Sequence, residues 1–75
     1  MYENINLKIG ERIKFLRKEK SISQETLANM ADIERGYMTG VETGKRNVSV
    51  KVLSKIIDAL ETDFPTFFND KEFVK

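Results

Sequence analysis

The stretch Gln24–Glu42, QETLANMADIERGYMTGVE, decides how the rest of the 75-residue chain is interpreted. Its apolar residues recur at helical spacing in two short runs. Asp32 lies between the runs, and aspartate tolerates the left-handed backbone that often ends a helix. We therefore predict two helices joined by a tight turn, helix 2 from about Gln24 to Ala31 and helix 3 from about Arg35 to Glu42 or Thr43.

Helix 3 combines an apolar back with a small, polar front. Met38 and Val41 are three residues apart and are expected to face inward, whereas Gly36 and Gly40 lie on the opposite side. Two glycines cost so short a helix about 2 kcal/mol relative to alanine. We interpret them as positions trimmed so that the backbone can approach another surface closely. Drift in a tolerant, exposed helix is the alternative.

The rest of the chain predicts three further helices and therefore one all-α domain over residues 1–75. Nothing alternates with period two for long enough to indicate a sheet. Four of the five helices have a residue suited to their start, because side-chain oxygens accept the free amides there. Helix 1 is expected from about Asn6, its N-cap, to Glu19, and helix 4 from about Val50 to Glu61, after Ser49. Ser23 is expected to cap helix 2, and Asp63 a short helix 5 with Pro65 in its first turn.

Composition excludes several classes of protein. The chain has no cysteine and no histidine, so it has no disulfide framework or thiolate site and lacks the commonest general base and metal ligand. No apolar run approaches the roughly 18 residues of a membrane span, and no basic segment precedes an apolar run at the start. We predict a cytoplasmic protein that is not an enzyme and uses no metal, cofactor or small-molecule ligand.

The net charge of +1 is unevenly distributed. Residues 35–55 carry five cations and one carboxylate, whereas residues 56–75 carry two cations and five carboxylates. Positive charge confined to one segment suits a surface that faces phosphate groups. Random clustering on a solvated surface is the alternative, so the charge pattern supports nucleic-acid binding only together with the predicted helices.

Three groups of residues carry a resemblance to a known family. They are Ser23-Gln24-x-x-Leu27-Ala28, then Tyr37-Met38-Thr39-x-Val41-Glu42-x-Gly44-Lys45-Arg46-Asn47, then Leu53-x-x-Ile56-x-x-Ala59-Leu60. Over roughly residues 7–68 the chain resembles the lambda-repressor-like (Xre-type) helix-turn-helix family. Arg35-x-Tyr37, Arg46-Asn47 and Phe67-Phe68 make it similar to the controller proteins of restriction–modification systems. The resemblance implies a compact five-helix fold that binds palindromic operator DNA as a homodimer and regulates transcription.

The resemblance also assigns roles to individual residues. Base-contacting positions fall on helix 3, which lies in the major groove in such motifs: Arg35, Gly36, Tyr37, Thr39 and Gly40. Phosphate- or sugar-contacting positions surround them: Ser23, Gln24, Thr43, Lys45, Arg46 and Asn47. Arg17 and Glu42 are expected to form a structural ion pair. The segment 63–75 is expected to contribute the dimer contact through Phe64, Phe67 and Phe68, although closing the monomer core is the alternative for these rings.

Four positions depart from the family pattern. Gly36 stands where the family usually has Ser or Thr, and Ser21 stands where it usually has glycine. Val48 replaces a common proline, and Glu34 replaces the Ser, Thr or Asp that usually caps helix 3. These departures bear on operator sequence and affinity more than on the fold. Two other functions stay open, an antitoxin-type or phage-type repressor of the same fold and a helical adaptor that binds protein. RNA polymerase is a further candidate partner of a transcriptional regulator.

Overall fold

Five helices account for the fold in the computed structural model, which describes residues 4–73. They are α1 (Ile5–Glu19), α2 (Gln24–Met30), α3 (Arg35–Glu42), α4 (Val50–Ala59) and α5 (Phe64–Phe67). No strand occurs between residues 4 and 73. The predicted all-α, five-helix class is confirmed, and the α2–α3 pair forms the expected helix-turn-helix.

Three of the predicted caps are present. The side chains of Ser23, Ser49 and Asp63 accept hydrogen bonds from main-chain amides three residues later, at 2.9–3.1 Å. Each satisfies an amide that the first turn of its helix leaves without an intrahelical partner. These caps hold the starts of α2, α4 and α5 at the predicted residues.

Other predicted helix ends were wrong by one or two residues. α1 begins at Ile5 with Asn4 at the N-cap, so Asn6 lies inside the helix and does not cap it. α2 ends at Met30 and α4 at Ala59, each followed closely by a residue with a left-handed backbone, Asp32 (φ 57°) or Glu61 (φ 59°). Ser21 also has positive φ (57°), at the turn where the family usually has glycine.

One core joins all five helices. Its fully buried large side chains are Phe67, Ile13, Leu27, Met38, Ile56, Leu60 and Val41. Met38 and Val41 face inward as predicted. Val50, the first residue of α4, is by contrast 74% exposed. It lies in the first turn, one residue after the cap, where α4 has not yet entered the core.

Helix α1 crosses α3 at Gly10. A Cβ atom at Gly10 would lie 2.6 Å from the Glu42 carbonyl oxygen and closer still to that of Val41. Both atoms belong to the main chain of α3 and cannot rotate away. Glycine is therefore required at this crossing, and it brings α1 into direct contact with the back of the helix-turn-helix.

The C-terminal segment is anchored on α1 by Arg12. Its guanidinium group donates hydrogen bonds to the carbonyl oxygens of Phe67 (2.7 Å) and Thr66 (3.0 Å) and lies 3.5 Å from the Asp70 carboxylate. The Phe67 ring is completely buried within the single chain and packs edge-on against Phe68. Phe67 therefore belongs to the monomer core, and its predicted place in a dimer contact is corrected.

Replacing Gly10 by alanine should destabilise the domain by about 1–3 kcal/mol, because the added methyl group overlaps the main chain of α3. Urea unfolding followed by circular dichroism measures the change. Gly36→Ala is the control, since Gly36 is a helical but exposed glycine. It should leave stability unchanged or raise it by up to about 1 kcal/mol. Equal losses in both variants would contradict the close crossing.

Acidification should weaken the α5 cap. Hydrogen bonds from the Thr66 side chain and amide hold the pKa of Asp63 below its usual value. Because its pKa is lowered on folding, the ionised Asp63 carboxylate stabilises the fold at pH values above its unfolded-state pKa, which is about 3.9. This contribution is lost as the pH falls through the folded-state pKa. Between pH 6 and pH 3, Asp63→Asn should lose less stability than the wild-type chain in urea unfolding. Identical pH dependence in both would contradict the role of this carboxylate.

Candidate nucleic-acid interface

The outward face of α3 carries the residues predicted to contact bases. Arg35, Gly36 and Thr39 are exposed, and Tyr37 and Gly40 are half-buried at the edge of the same helix. The Arg35 side chain is 69% exposed, and its guanidinium lies 4.0 Å from the Glu25 carboxylate of α2. The fold thus presents these five positions on a ridge backed by the buried Met38 and Val41.

A chain of hydrogen bonds runs from the interior to this ridge. The Arg17 guanidinium donates to both Glu42 carboxylate oxygens, at 2.8 and 3.1 Å. Glu42 Oε1 also accepts from the Gln24 amide at 3.2 Å, and Gln24 Oε1 accepts from the Thr39 hydroxyl at 2.6 Å. The predicted Arg17–Glu42 pair is therefore one end of a relay that joins α1, α2 and α3.

The Arg17–Glu42 pair is almost completely shielded from solvent. The Glu42 side chain is 1% exposed and the Arg17 side chain 11%. Arg17 also donates to the Ile22 carbonyl oxygen at 3.0 Å, so the cation is held by the α1–α2 turn as well. A buried charge is costly unless it is paired and hydrogen-bonded, and here both conditions are met.

The loop after α3 folds back onto the ridge. The main-chain amides of Lys45 and Arg46 both donate to the Gly40 carbonyl oxygen, at 2.9 and 3.2 Å. The Arg46 guanidinium lies over the Tyr37 ring, 5.0 Å from its centroid. A Cβ atom at Gly40 would lie 2.9 Å from Arg46 Cγ, so Gly40 leaves room for this side chain to cross the helix. Arg46 and Tyr37 therefore form a stacked pair beside Gly40.

Several predicted phosphate-contacting groups already have partners in the protein. The Thr43 hydroxyl donates to the Thr39 carbonyl oxygen at 2.9 Å, and the Ser23 hydroxyl donates to Thr26 at 2.9 Å. The Asn47 side-chain oxygen accepts from Asn6, which leaves the Asn47 amide hydrogens available. Among the six predicted positions, Lys45 has the side-chain donor that is most available to DNA. The residue is exposed, and its ammonium group makes no hydrogen bond or ion pair within the described residues 4–73.

Sequence reasoning missed three contacts, two of them at the ridge. Nothing in the sequence pattern pointed to Arg12, which anchors the C-terminal segment on α1. Glu25 was not connected with Arg35. Glu34 was noted as a poor cap, but its carboxylate also reaches toward Gly36, to 3.3 Å from where a Cβ atom would lie. Helical spacing of acid and base could have signalled none of these. The Arg12 and Arg35 contacts join different elements, and the Glu34 carboxylate lies beside a glycine that has no side chain.

Within residues 4–73, no helix is both long and apolar enough to cross a membrane. In the same part of the chain, no group of three or more acidic, histidine or cysteine side chains is arranged to hold a metal ion.

A helix-turn-helix with a polar, exposed second helix and a cationic loop behind it defines a class of DNA-binding domain. The family model described as helix-turn-helix matches residues 13–67. The chain therefore belongs to the helix-turn-helix family, in its lambda-repressor-like (Xre-type) form, as its residue pattern predicted.

Several proteins that the chain resembles are controller proteins. The chain is 41% identical over 70 residues to the control protein C.MunI of Mycoplasma sp, covering 92% of this chain and 95% of the relative. It superposes on the restriction–modification controller C.AhdI from Aeromonas hydrophila with a TM-score of 0.80 and 41% identity, over 84% of this chain and 96% of that one. It also matches the C.Esp1396I tetramer in complex with its natural 35-base-pair operator, with a TM-score of 0.85 and 36% identity over 93% and 95% of the two chains.

The buried ion pair predicts that substitutions of two glutamates will differ in their effect on the stability of the fold. Glu42→Ala should destabilise the fold by about 3–5 kcal/mol, because it leaves the Arg17 charge buried without a partner. Glu61→Ala is the matched control, since Glu61 pairs with Lys20 at 2.9 Å but is 75% exposed, and it should cost far less. Urea unfolding of both variants gives the comparison. A Glu42→Ala loss as small as that of Glu61→Ala would contradict the role of the pair.

Proposed function

We propose that this protein is a sequence-specific DNA-binding transcriptional regulator that controls a restriction–modification system. The observation that carries the proposal is the hydrogen-bonded relay from Arg17 through Glu42 and Gln24 to Thr39. It holds α3 rigidly against α2 while the polar side of α3 stays exposed. A rigid, outward helix beside cations can enter a major groove without reorganising.

In the proposed complex, α3 lies in the major groove and α2 crosses the backbone. Arg35 begins α3, where a guanidinium can donate two hydrogen bonds to guanine O6 and N7. The Arg46–Tyr37 pair and Gly40 lie further along the same face, and Thr39, Gly36 and Gly40 keep the helix narrow. Lys45, Asn47 and the N-terminus of α2 at Ser23 and Gln24 flank the groove and bind phosphate, which gives affinity without sequence preference.

The functional unit we propose is a homodimer on a palindromic operator. Phe64 is 38% exposed and stacks on the half-buried Phe68 with ring centroids 6.4 Å apart, so an aromatic edge remains uncovered on the single chain. The related C.Esp1396I forms a tetramer on its operator. Two copies joined through this edge would place their α3 helices in half-sites about 34 Å apart, one turn of DNA.

Footprinting tests the proposed function directly. The purified chain is added to the DNA upstream of its own gene, and protection is measured at increasing salt. Selective protection of a palindromic site, weakening steeply with salt, supports the proposal. RNA polymerase enters as a proposed partner at this site, and transcription from the same DNA with and without the regulator tests it. Absence of any protected site, with the chain folded, would favour the protein-binding adaptor.

Arg35→Ala should weaken binding to the protected site by about 1–3 kcal/mol and relax the preference at one base position in each half-site. Lys45→Ala is the comparison, because a phosphate contact should lower the salt slope by about one unit and leave base preference unchanged. Equilibrium titrations against a panel of single-base operator variants separate the two effects. An Arg35→Ala loss that is equal on every sequence would show that Arg35 contacts only phosphate.

Phe64→Ala should shift the protein toward monomer in sedimentation equilibrium, because it removes part of the exposed aromatic edge without opening the core. Phe15→Ala is the matched control, since Phe15 is 53% exposed on α1. Phe67→Ala should instead cost about 3–5 kcal/mol of stability, as loss of a buried ring does. If Phe15→Ala dissociates the dimer and Phe64→Ala does not, the contact lies on α1 and not at the C-terminal segment.

A further inference from the structure

Two departures from the family pattern, Glu34 and Gly36, are neighbours at the start of α3. Glu34 occupies the N-cap with extended backbone (φ −68°, ψ 142°), yet its side chain caps nothing. Its carboxylate oxygen lies 3.3 Å from where the Cβ atom of residue 36 would be. A side chain at residue 36 would press on this oxygen and shift the carboxylate, so the glycine allows the position that the carboxylate occupies here.

The Glu34 carboxylate lies beside the base-reading face proposed above. The Glu34 side chain also lines a shallow hollow with Ile33, Tyr37 and Val52, and Arg35 is the next residue. Glu34 is exposed, and no hydrogen bond or ion pair of its side chain occurs within the described residues 4–73. In the proposed complex DNA phosphates would repel this carboxylate, which makes it costly there unless it accepts a hydrogen bond from the DNA itself.

We propose that Glu34 takes over the base-reading role of position 36 and selects a cytosine in each half-site. This inference rests on the proposed function, because it requires α3 to lie in the major groove. A carboxylate only accepts hydrogen bonds, and the cytosine N4 amino group is the donor that glutamate recognises there. Adenine also offers an amino group, but its N7 acceptor lies beside it and repels the second carboxylate oxygen. Glu34 thus reads cytosine, and Arg35 reads a guanine close by.

The first experiment is selection of binding sites from a randomised DNA pool by wild type, Glu34→Ala and Glu34→Gln, with folding checked by thermal unfolding. Wild type should prefer cytosine about five- to twentyfold at one position per half-site, distinct from the position that Arg35→Ala relaxes. Glu34→Ala should abolish that preference while its affinity for non-specific DNA rises. Glu34→Gln, whose amide both donates and accepts, should accept adenine at the same position. Gly36→Ser should weaken the cytosine preference by displacing the carboxylate.

Glu25→Ala is the matched control. It also removes a carboxylate near Arg35, so it should raise non-specific affinity similarly, and any change of base preference should fall at the Arg35 position. Replacing the selected cytosine by 2-pyrimidinone, which lacks the N4 amino group, completes the test. Wild type should bind the operator with 2-pyrimidinone about as weakly as it binds operators with a base other than cytosine at this position. Glu34→Ala should bind the 2-pyrimidinone and cytosine operators equally well.

The outcomes separate this inference from the proposed function. In one outcome, wild type binds selectively and Glu34→Ala gains the same affinity on every sequence. This result would overturn the cytosine contact of Glu34 but not the proposed function. It would show that the carboxylate only repels phosphate. A wild-type pool with no enriched sequence would overturn sequence-specific regulation and the cytosine contact together.

Discussion

The buried Arg17–Glu42 ion pair is the interaction on which the geometry of the proposed DNA-binding surface depends. Glu42 is the last residue of α3, and its carboxylate is shared between Arg17 of α1 and Gln24 of α2. Removing either charge would leave the other in a site that water hardly reaches. The pair therefore fixes where α3 ends relative to both of its neighbours, and the ridge follows from that placement.

The Gly10 crossing and the relay act on the same junction. Gly10 admits the main chain of Val41 and Glu42 against α1, and Arg17 lies two turns further along α1 and grips the Glu42 side chain. A small core cannot hold a helix in one orientation by apolar burial alone, because apolar contacts are non-directional. Here directional hydrogen bonds supply the orientation, and the core supplies most of the cohesion.

Local features of the fold were predictable from the sequence, and contacts between distant segments were less so. Ser23, Ser49 and Asp63 identified three helix starts, because a cap is a local interaction between a side chain and the next turn. The resemblance supplied the Arg17–Glu42 pair. Phe67 was misassigned because spacing shows which residues are apolar but not which surface covers them. Arg12 was missed because its partners are carbonyl oxygens, which every residue carries, some 54 and 55 positions away.

That use of carbonyl oxygens by Arg12 has a consequence for how such regulators diverge. The two hydrogen bonds to main-chain atoms of Thr66 and Phe67 do not depend on the side chains of those residues, and only the ion pair with Asp70 does. The outward residues of α5 can therefore change while the segment stays bound to α1 at the same place. In a cell that carries several related regulators, the proposed dimer contact of each copy can then change and prevent mixed pairs, with the proposed DNA-binding surface left untouched.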